Sequence, residues 1–152
     1  MKATLKAFAL LVFALMLSMS ATAADKGTMD EAQALVKKAV AYVKAHGREA
    51  SLAEFSNPKG SFIDRDLYIF VIDMKGKMLA HGNLPKIINK DVLEMKDPDG
   101  RFLFKDMLAV ANGPGSGWVH YKWNNPSTKS IDPKSTFVEK VDDMVVGCGV
   151  YK

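Results

Sequence analysis

The spacing of apolar residues changes from a helical to a strand period partway along the chain. Ala32, Leu35, Val36, Ala39 and Val43 recur at helical spacing, with Lys37, Lys38 and Lys44 on the opposite face. Thr28 and Glu31 have the spacing of a capping box, and His46-Gly47 make a C-terminal stop. The pattern predicts an amphipathic helix of about five turns. A short second helix is expected over residues 49–55, closed by the turn Asn57-Pro58-Lys59-Gly60.

Beyond that turn the period is two. Residues 67–73 (LYIFVID) form a β-rich run, Asp73-Met74-Lys75-Gly76 a turn, and residues 77–81 (KMLAH) the returning strand of a hairpin. Residues 82–96 show no regular period. Asp97-Pro98-Asp99-Gly100 opens a helix over about 101–112, and the glycine-rich run 113–117 breaks it. Residues 118–123 (WVHYKW) alternate as a strand. Asn124-Asn125-Pro126-Ser127 turns the chain into two further strands, 134–141 and 144–151, joined by a tight turn at Asp142-Asp143. Hairpin-linked strands imply a mostly antiparallel sheet and an α+β class.

The first two dozen residues carry a different signal. Lys2 and Lys6 precede a continuous apolar run, residues 7–17, and Ala21-Thr22-Ala23 fits a small-x-small cleavage site. This is the layout of a signal peptide, residues 1–23. The apolar run is short of the ~20 residues a spanning helix needs, so an uncleaved anchor is the second reading. The expected product is exported, periplasmic or secreted, with no output segment after its domain, so that any signal requires a partner.

Removing that leader changes the charge balance. The chain has 21 Lys+Arg against 17 Asp+Glu, and losing Lys2 and Lys6 leaves 19 against 17. A nearly neutral mature chain with no long basic run offers no footprint for nucleic acid. A single cysteine, Cys148, excludes a disulfide framework, a Cys-rich zinc site and a covalent haem motif. No nucleophile elbow, phosphate-cradling loop or His-Glu-x-x-His is present, and three scattered histidines do not make a metal site by spacing. Asp97, Asp99 and Gly100 begin like a calcium loop, but the twelve-residue ligand pattern does not continue. The reading is a non-enzymatic domain without cofactor or metal.

The runs DLYIFVIDMKGKMLAHGN, LEMKDPDGRFLFKDML, GSGWVHYKWNNP and DPKSTFVEKVDDMVVGCGVYK together resemble the single Cache domain, type 2, a PAS-like extracytoplasmic sensor domain. The resemblance extends over residues 29–152 and looks like the freestanding exported form. It implies one domain over 28–152, with a long N-terminal helix on a five-stranded antiparallel sheet and a helical insertion after the first hairpin. It also implies a ligand between one sheet face and the segment 82–112, and small organic acids as ligands.

On that resemblance Lys134, after Pro133 at a strand start, is the pocket lysine that would hold a carboxylate by a charge-assisted hydrogen bond. Phe137 stands where the family commonly has tyrosine, so it keeps a ring and loses a donor. From the residues themselves, His81 at a strand end would either bond the ligand, with a charge that changes near neutral pH, or bond backbone. Alternation puts Val119, Tyr121 and Trp123 on one strand face and Trp118, His120 and Lys122 on the other. Tyr121 and Trp123 are expected inward, lining the pocket or the core. Tyr68 shares a face with Phe70 and Ile72, and its hydroxyl would reach a ligand or a core partner. Cys148, among Val145, Val146 and Val150, reads as a small buried hydrophobe.

The functional expectation is a small-carboxylate sensor acting through a membrane sensor or transporter protein. Homodimerisation through the long helix is a further expectation. The rivals are a structural or interaction domain with a non-functional pocket, for which Phe137 is the argument, and a cofactor carrier or enzyme of unfamiliar type.

Overall fold

A computed structural model describes residues 26–152, and the expected signal peptide lies outside the described residues. The chain builds helix α1 (Met29–His46), helix α2 (Arg48–Phe55), strands β1 (Ile63–Asp64), β2 (Leu67–Tyr68), β3 (Phe70–Asp73) and β4 (Met78–His81), then helix α3 (Leu103–Asn112) and strands β5 (Ser116–Asn124), β6 (Ile131–Val141) and β7 (Met144–Tyr151). A single 3-10 turn, Pro85–Ile87, interrupts the irregular stretch between β4 and α3.

Helix α1 starts where the capping box predicts. The Thr28 hydroxyl accepts from the Glu31 backbone N–H at 3.2 Å, and the Glu31 carboxylate accepts from the Thr28 N–H at 2.8 Å. It ends at Gly47, whose φ of 79° lies in the left-handed region that glycine adopts without strain. Ala32, Val36, Ala39, Val40 and Val43 are buried along one stripe. They pack on Val146, Cys148 and Val150 of β7 and on Phe137 of β6. Phe55 of α2 meets Phe62 edge-on at 4.7 Å between ring centroids, which closes one end of this layer.

Five strands form one antiparallel sheet in the order β4-β3-β7-β6-β5. Strand alternation sorts its residues between two cores. One face packs on α1. The other carries Phe70, Ile72, Val119, Tyr121, Val138 and Val145 against α3 and the segment leading to it. Each sheet edge is tied to the covering segment at one residue: Met78 of β4 bonds Asn89 and Lys90, and Asp97 accepts from the Lys122 N–H on β5.

Two details depart from the sequence reading. The run 67–73 is not one strand, because it is interrupted at Ile69. Its first two residues pair back on Ile63–Asp64 through a turn at Arg65-Asp66, with Arg65 at φ 56°. This small hairpin has two residues per strand, too few to show a period. Strand β6 also begins earlier than residue 134, at Ile131. Pro133 fits inside it opposite Lys122, where its carbonyl accepts from the Lys152 N–H.

Asp97 fixes the covering segment to the sheet. Its carboxylate, on a residue only 6% exposed, accepts from the backbone N–H groups of Asp99, Arg101 and Lys122 at 3.0, 2.9 and 3.1 Å. Burial raises the carboxyl pKa, and the three N–H bonds outweigh it, for a net fall below the usual range. Asp97→Ala leaves three donors without their acceptor. The expected result is a loss of about 2–3 kcal/mol, a melting temperature lower by roughly 5–10 °C, and faster amide exchange at Arg101 and Lys122.

Candidate functional site

Strand β6 presents Lys134 to the face away from α1, between Tyr121 of β5 and Tyr151 of β7. The lysine is 3% exposed. Its Nζ donates to the Tyr68 hydroxyl at 2.7 Å and to the Tyr151 hydroxyl at 3.2 Å, and lies 4.5 Å from each ring centroid. The Tyr151 hydroxyl donates onward to the Asn124 carbonyl at 2.9 Å. Neutral oxygens and ring faces solvate the ammonium, but no carboxylate pairs with it among the described residues. Burying a cation without a counter-charge is costly. An anion placed beside it recovers part of that cost.

The surrounding wall is aromatic. Tyr68, Phe70, Met78, His81, Leu103, Phe104, Tyr121 and Trp123 enclose, with Lys134, a cavity of about 10 Å³, room for about one water-sized group. Phe104 stands edge-on to Phe70 and to Trp123. Tyr121 is anchored at its tip, its hydroxyl 2.8 Å from the Thr136 hydroxyl. Burial pushes the Tyr68 and Tyr121 phenols up to about 12 and raises the Tyr151 phenol further, so all three are neutral donors at physiological pH. Tyr68, His81 and Trp123 also border an outer groove of about 280 Å³, completed by Asn83, Leu84, Asn124, Pro126 and Lys129.

His81 occupies the wall between the two. Its Nδ1 accepts from the backbone N–H groups of Leu84 at 2.8 Å and Asn83 at 3.2 Å, which fixes the tautomer with hydrogen on Nε2. Burial, then the nearby Lys134 charge, pushes its pKa down to about 3. The sequence reading of a charge that changes near neutral pH is corrected accordingly: the ring is a neutral donor through Nε2. Of the two alternatives for His81, the backbone bond is present at Nδ1, and the ring also borders the cavity.

The structure thus brings Lys134, His81, Tyr121, Trp123 and Tyr68 around one cavity. It does not bring Phe137. That ring points to the α1 face, 5.3 Å from Trp118, with the Lys37 ammonium over it at 5.8 Å. The reason is parity: Phe137 is three residues from Lys134 on a regular strand, so the two side chains leave opposite faces. The missing tyrosine hydroxyl at 137 therefore has no bearing on this cavity. Thr136, two residues from Lys134, shares its face.

Sequence reasoning missed Tyr151, although a signal was present. A two-residue turn at Asp142-Asp143 sets the β6–β7 register, and that register places Tyr151 directly opposite Lys134. Phe70, Met78, Leu103 and Phe104 were also missed as lining residues. The first two follow from strand parity, whereas the last two depend on how the irregular covering segment seats α3. Among the described residues no three His, Cys, Asp or Glu side chains gather into a metal-binding group. The Cys148 thiol is buried on the α1 face and pushed up to about 12 by burial, which makes it unreactive.

A helix on one face of a five-stranded antiparallel sheet, with a buried, largely aromatic cavity under a helical insertion on the other, defines a PAS-like sensor domain of α+β class. The chain belongs to the single Cache domain 2 family, whose model matches residues 2–152. It is 32% identical over 90 residues, 58% of its length, to the methyl-accepting chemotaxis protein McpP of Pseudomonas putida. It is 37% identical over 89 residues, 57% of its length, to the sensor histidine kinase MctS of Rhizobium johnstonii. The matched regions make up 16% and 19% of those longer proteins.

Solved structures place the fold in the same class. A Cache chemosensory domain, described for its recognition of carboxylic acid, superimposes with a TM-score of 0.68 at 27% identity, covering 80% of this chain and 91% of that one. A methyl-accepting chemotaxis protein from Vibrio parahaemolyticus gives 0.68 at 22% identity, covering 80% and 86%, a likeness of fold.

Proposed function

We propose that this Cache domain binds a small organic acid at Lys134, acting as an exported sensor whose signal passes through a partner protein. The observation that carries the proposal is the ammonium of Lys134, nearly fully buried and without a carboxylate partner among the described residues. A ligand carboxylate supplies the missing charge, the Lys134 and Tyr68 groups donate to its oxygens, and the His81 Nε2–H donates from the wall. The aromatic and aliphatic wall takes the short carbon chain. Carboxylic acid recognition by a Cache domain of 27% identity supports the same ligand class.

The cavity of about 10 Å³ is smaller than any such acid. Binding therefore requires Leu103 and Phe104, at the start of α3, to move outward, or the His81–Trp123 wall to open toward the outer groove. Ligand then shifts the domain between a closed and an expanded arrangement by its differential affinity for the two. A partner that contacts the covering segment would read that shift. A membrane receptor, a kinase or a transporter fits this role, as does a second copy paired through α1. The leader at residues 1–23 delivers the domain to the periplasm or outside the cell.

A thermal-shift screen of the purified protein against two- to six-carbon carboxylates and amino acids tests the reading. Ligand at one hundred times its dissociation constant adds about 2.7 kcal/mol, which raises the melting temperature by roughly 5–15 °C. Indifference to every acid in the set would contradict a carboxylate site and favour a domain that only docks partners.

A further inference from the structure

Strand alternation puts residues 147 and 149 of β7 on the cavity face, and both are glycine. Neither has a positive φ, so the backbone does not require glycine at either place. Glycine inside a strand weakens it and leaves space for another group to approach. At Gly147 that space is filled by the Phe70 ring, whose Cζ would lie 2.3 Å from an added Cβ. At Gly149 an added Cβ would lie 2.5 Å from Cε of Lys134 and 2.3 Å from the Thr136 hydroxyl oxygen. The lysine stem thus crosses β7 through the volume that a side chain at 149 would occupy.

We propose that Gly149 is the positioning residue of the acid site: the missing side chain lets the Lys134 stem lie flat on β7, which brings its ammonium against Tyr68 and Tyr151. The inference rests on the carboxylate reading and deepens it. The two atoms in the way are movable ends. Cε is one bond from the ammonium, and the Thr136 hydroxyl turns about a single bond, whereas the nearest backbone atom, the Ser135 carbonyl oxygen, is 3.2 Å away. A methyl at 149 is therefore accommodated by moving the ammonium and by breaking the Thr136–Tyr121 hydrogen bond, with the sheet intact. Gly149 acts on the ligand only through these two side chains.

The test compares Gly149→Ala with the wild-type protein in calorimetric titrations with acetate, propionate and pyruvate, in thermal melts, and in spectra of protein carrying 13C-labelled lysine. The expected result is a cooperative melt within a few degrees of wild type, a dissociation constant raised at least about tenfold, and a displaced Lys134 Cε resonance. Thr136→Val separates the two consequences, since it removes the hydroxyl bond to Tyr121 and leaves the lysine stem in place; it is expected to leave the Cε resonance unmoved. A strand-packing role alone would lower the melting temperature and leave affinity and resonance as they are, and that result overturns the proposal.

If the wild-type protein binds none of the three acids, the carboxylate reading fails, and the Cε resonance alone decides the positioning role, an unmoved resonance overturning it. If Gly149→Ala does not fold, the double variant Lys134→Ala/Gly149→Ala decides. A restored cooperative melt assigns the clash to the lysine stem, and continued failure overturns the assignment.

Discussion

Lys134→Met is expected to weaken acid binding by at least about thirtyfold while the unliganded protein melts within a few degrees of wild type, or above it. The two halves of this result have different causes. Removing a charged, desolvated hydrogen-bond donor from a ligand carboxylate costs 2–5 kcal/mol in comparable interfaces, about thirtyfold to several thousandfold in affinity. In the empty protein the same ammonium is a liability, because it sits at 3% exposure with no opposite charge beside it among the described residues. An apolar side chain of similar length fills the space above Gly149 and removes the desolvation penalty, a change that is often neutral or stabilising. Two hydroxyls lose a partner, but Tyr151 keeps its bond to the Asn124 carbonyl. Lys134→Ala adds a cavity to these effects, so methionine is the cleaner substitution. A large fall in stability for Lys134→Met, with binding preserved, would assign the lysine to the fold rather than to a ligand.

The pH dependence of stability is expected to carry the mark of His81. Its pKa falls from the ordinary 6.5 to about 3 on folding, first from burial and second from the Lys134 charge. Between those values the unfolded chain takes up a proton that the folded protein refuses. Stability from this residue is therefore fully present above pH 6.5 and is lost as pH falls, at a slope approaching about 1.4 kcal/mol per pH unit. Asp97, with its carboxyl pKa lowered, contributes in the same direction only below the ordinary carboxylate range. Denaturant melts between pH 7 and 5 isolate the histidine. His81→Gln is expected to flatten the slope over that window, and an equal slope in both proteins would show that His81 titrates normally. Ligand affinity should show no step near pH 6.5 from this ring.

The elements that were legible in the sequence are those with enough residues to establish a period. The α1 stripe from Ala32 to Val43 and its Thr28–Glu31 cap emerge where patterning puts them, and the β5–β7 meander emerges in the expected order with β5 and β6 starting two and three residues earlier, because each is set by local spacing and turn chemistry. The β1–β2 hairpin was hidden by its length, and the break at Ile69 by a continuous apolar run that reads as one strand. The site was partly legible. Parity on β5 correctly put Tyr121 and Trp123 on one face, and the same parity applied to β6 would have separated Phe137 from Lys134 and paired Thr136 with it. The register through Asp142-Asp143 would have given Tyr151. What patterning does not carry is the depth of the cavity. That depends on Leu103 and Phe104, which are brought over the sheet by an irregular stretch held through Asp97 and backbone bonds to β4.

Titration calorimetry of two- to six-carbon carboxylates into the wild-type protein and into Lys134→Met, at pH 7 and matched salt, asks whether an acid binds at Lys134. Saturable binding of at least one acid at one molecule per chain is expected in the wild type, with no measurable heat in the variant. Equal binding by both proteins, or no binding of any acid by the wild type, would contradict a carboxylate site at Lys134.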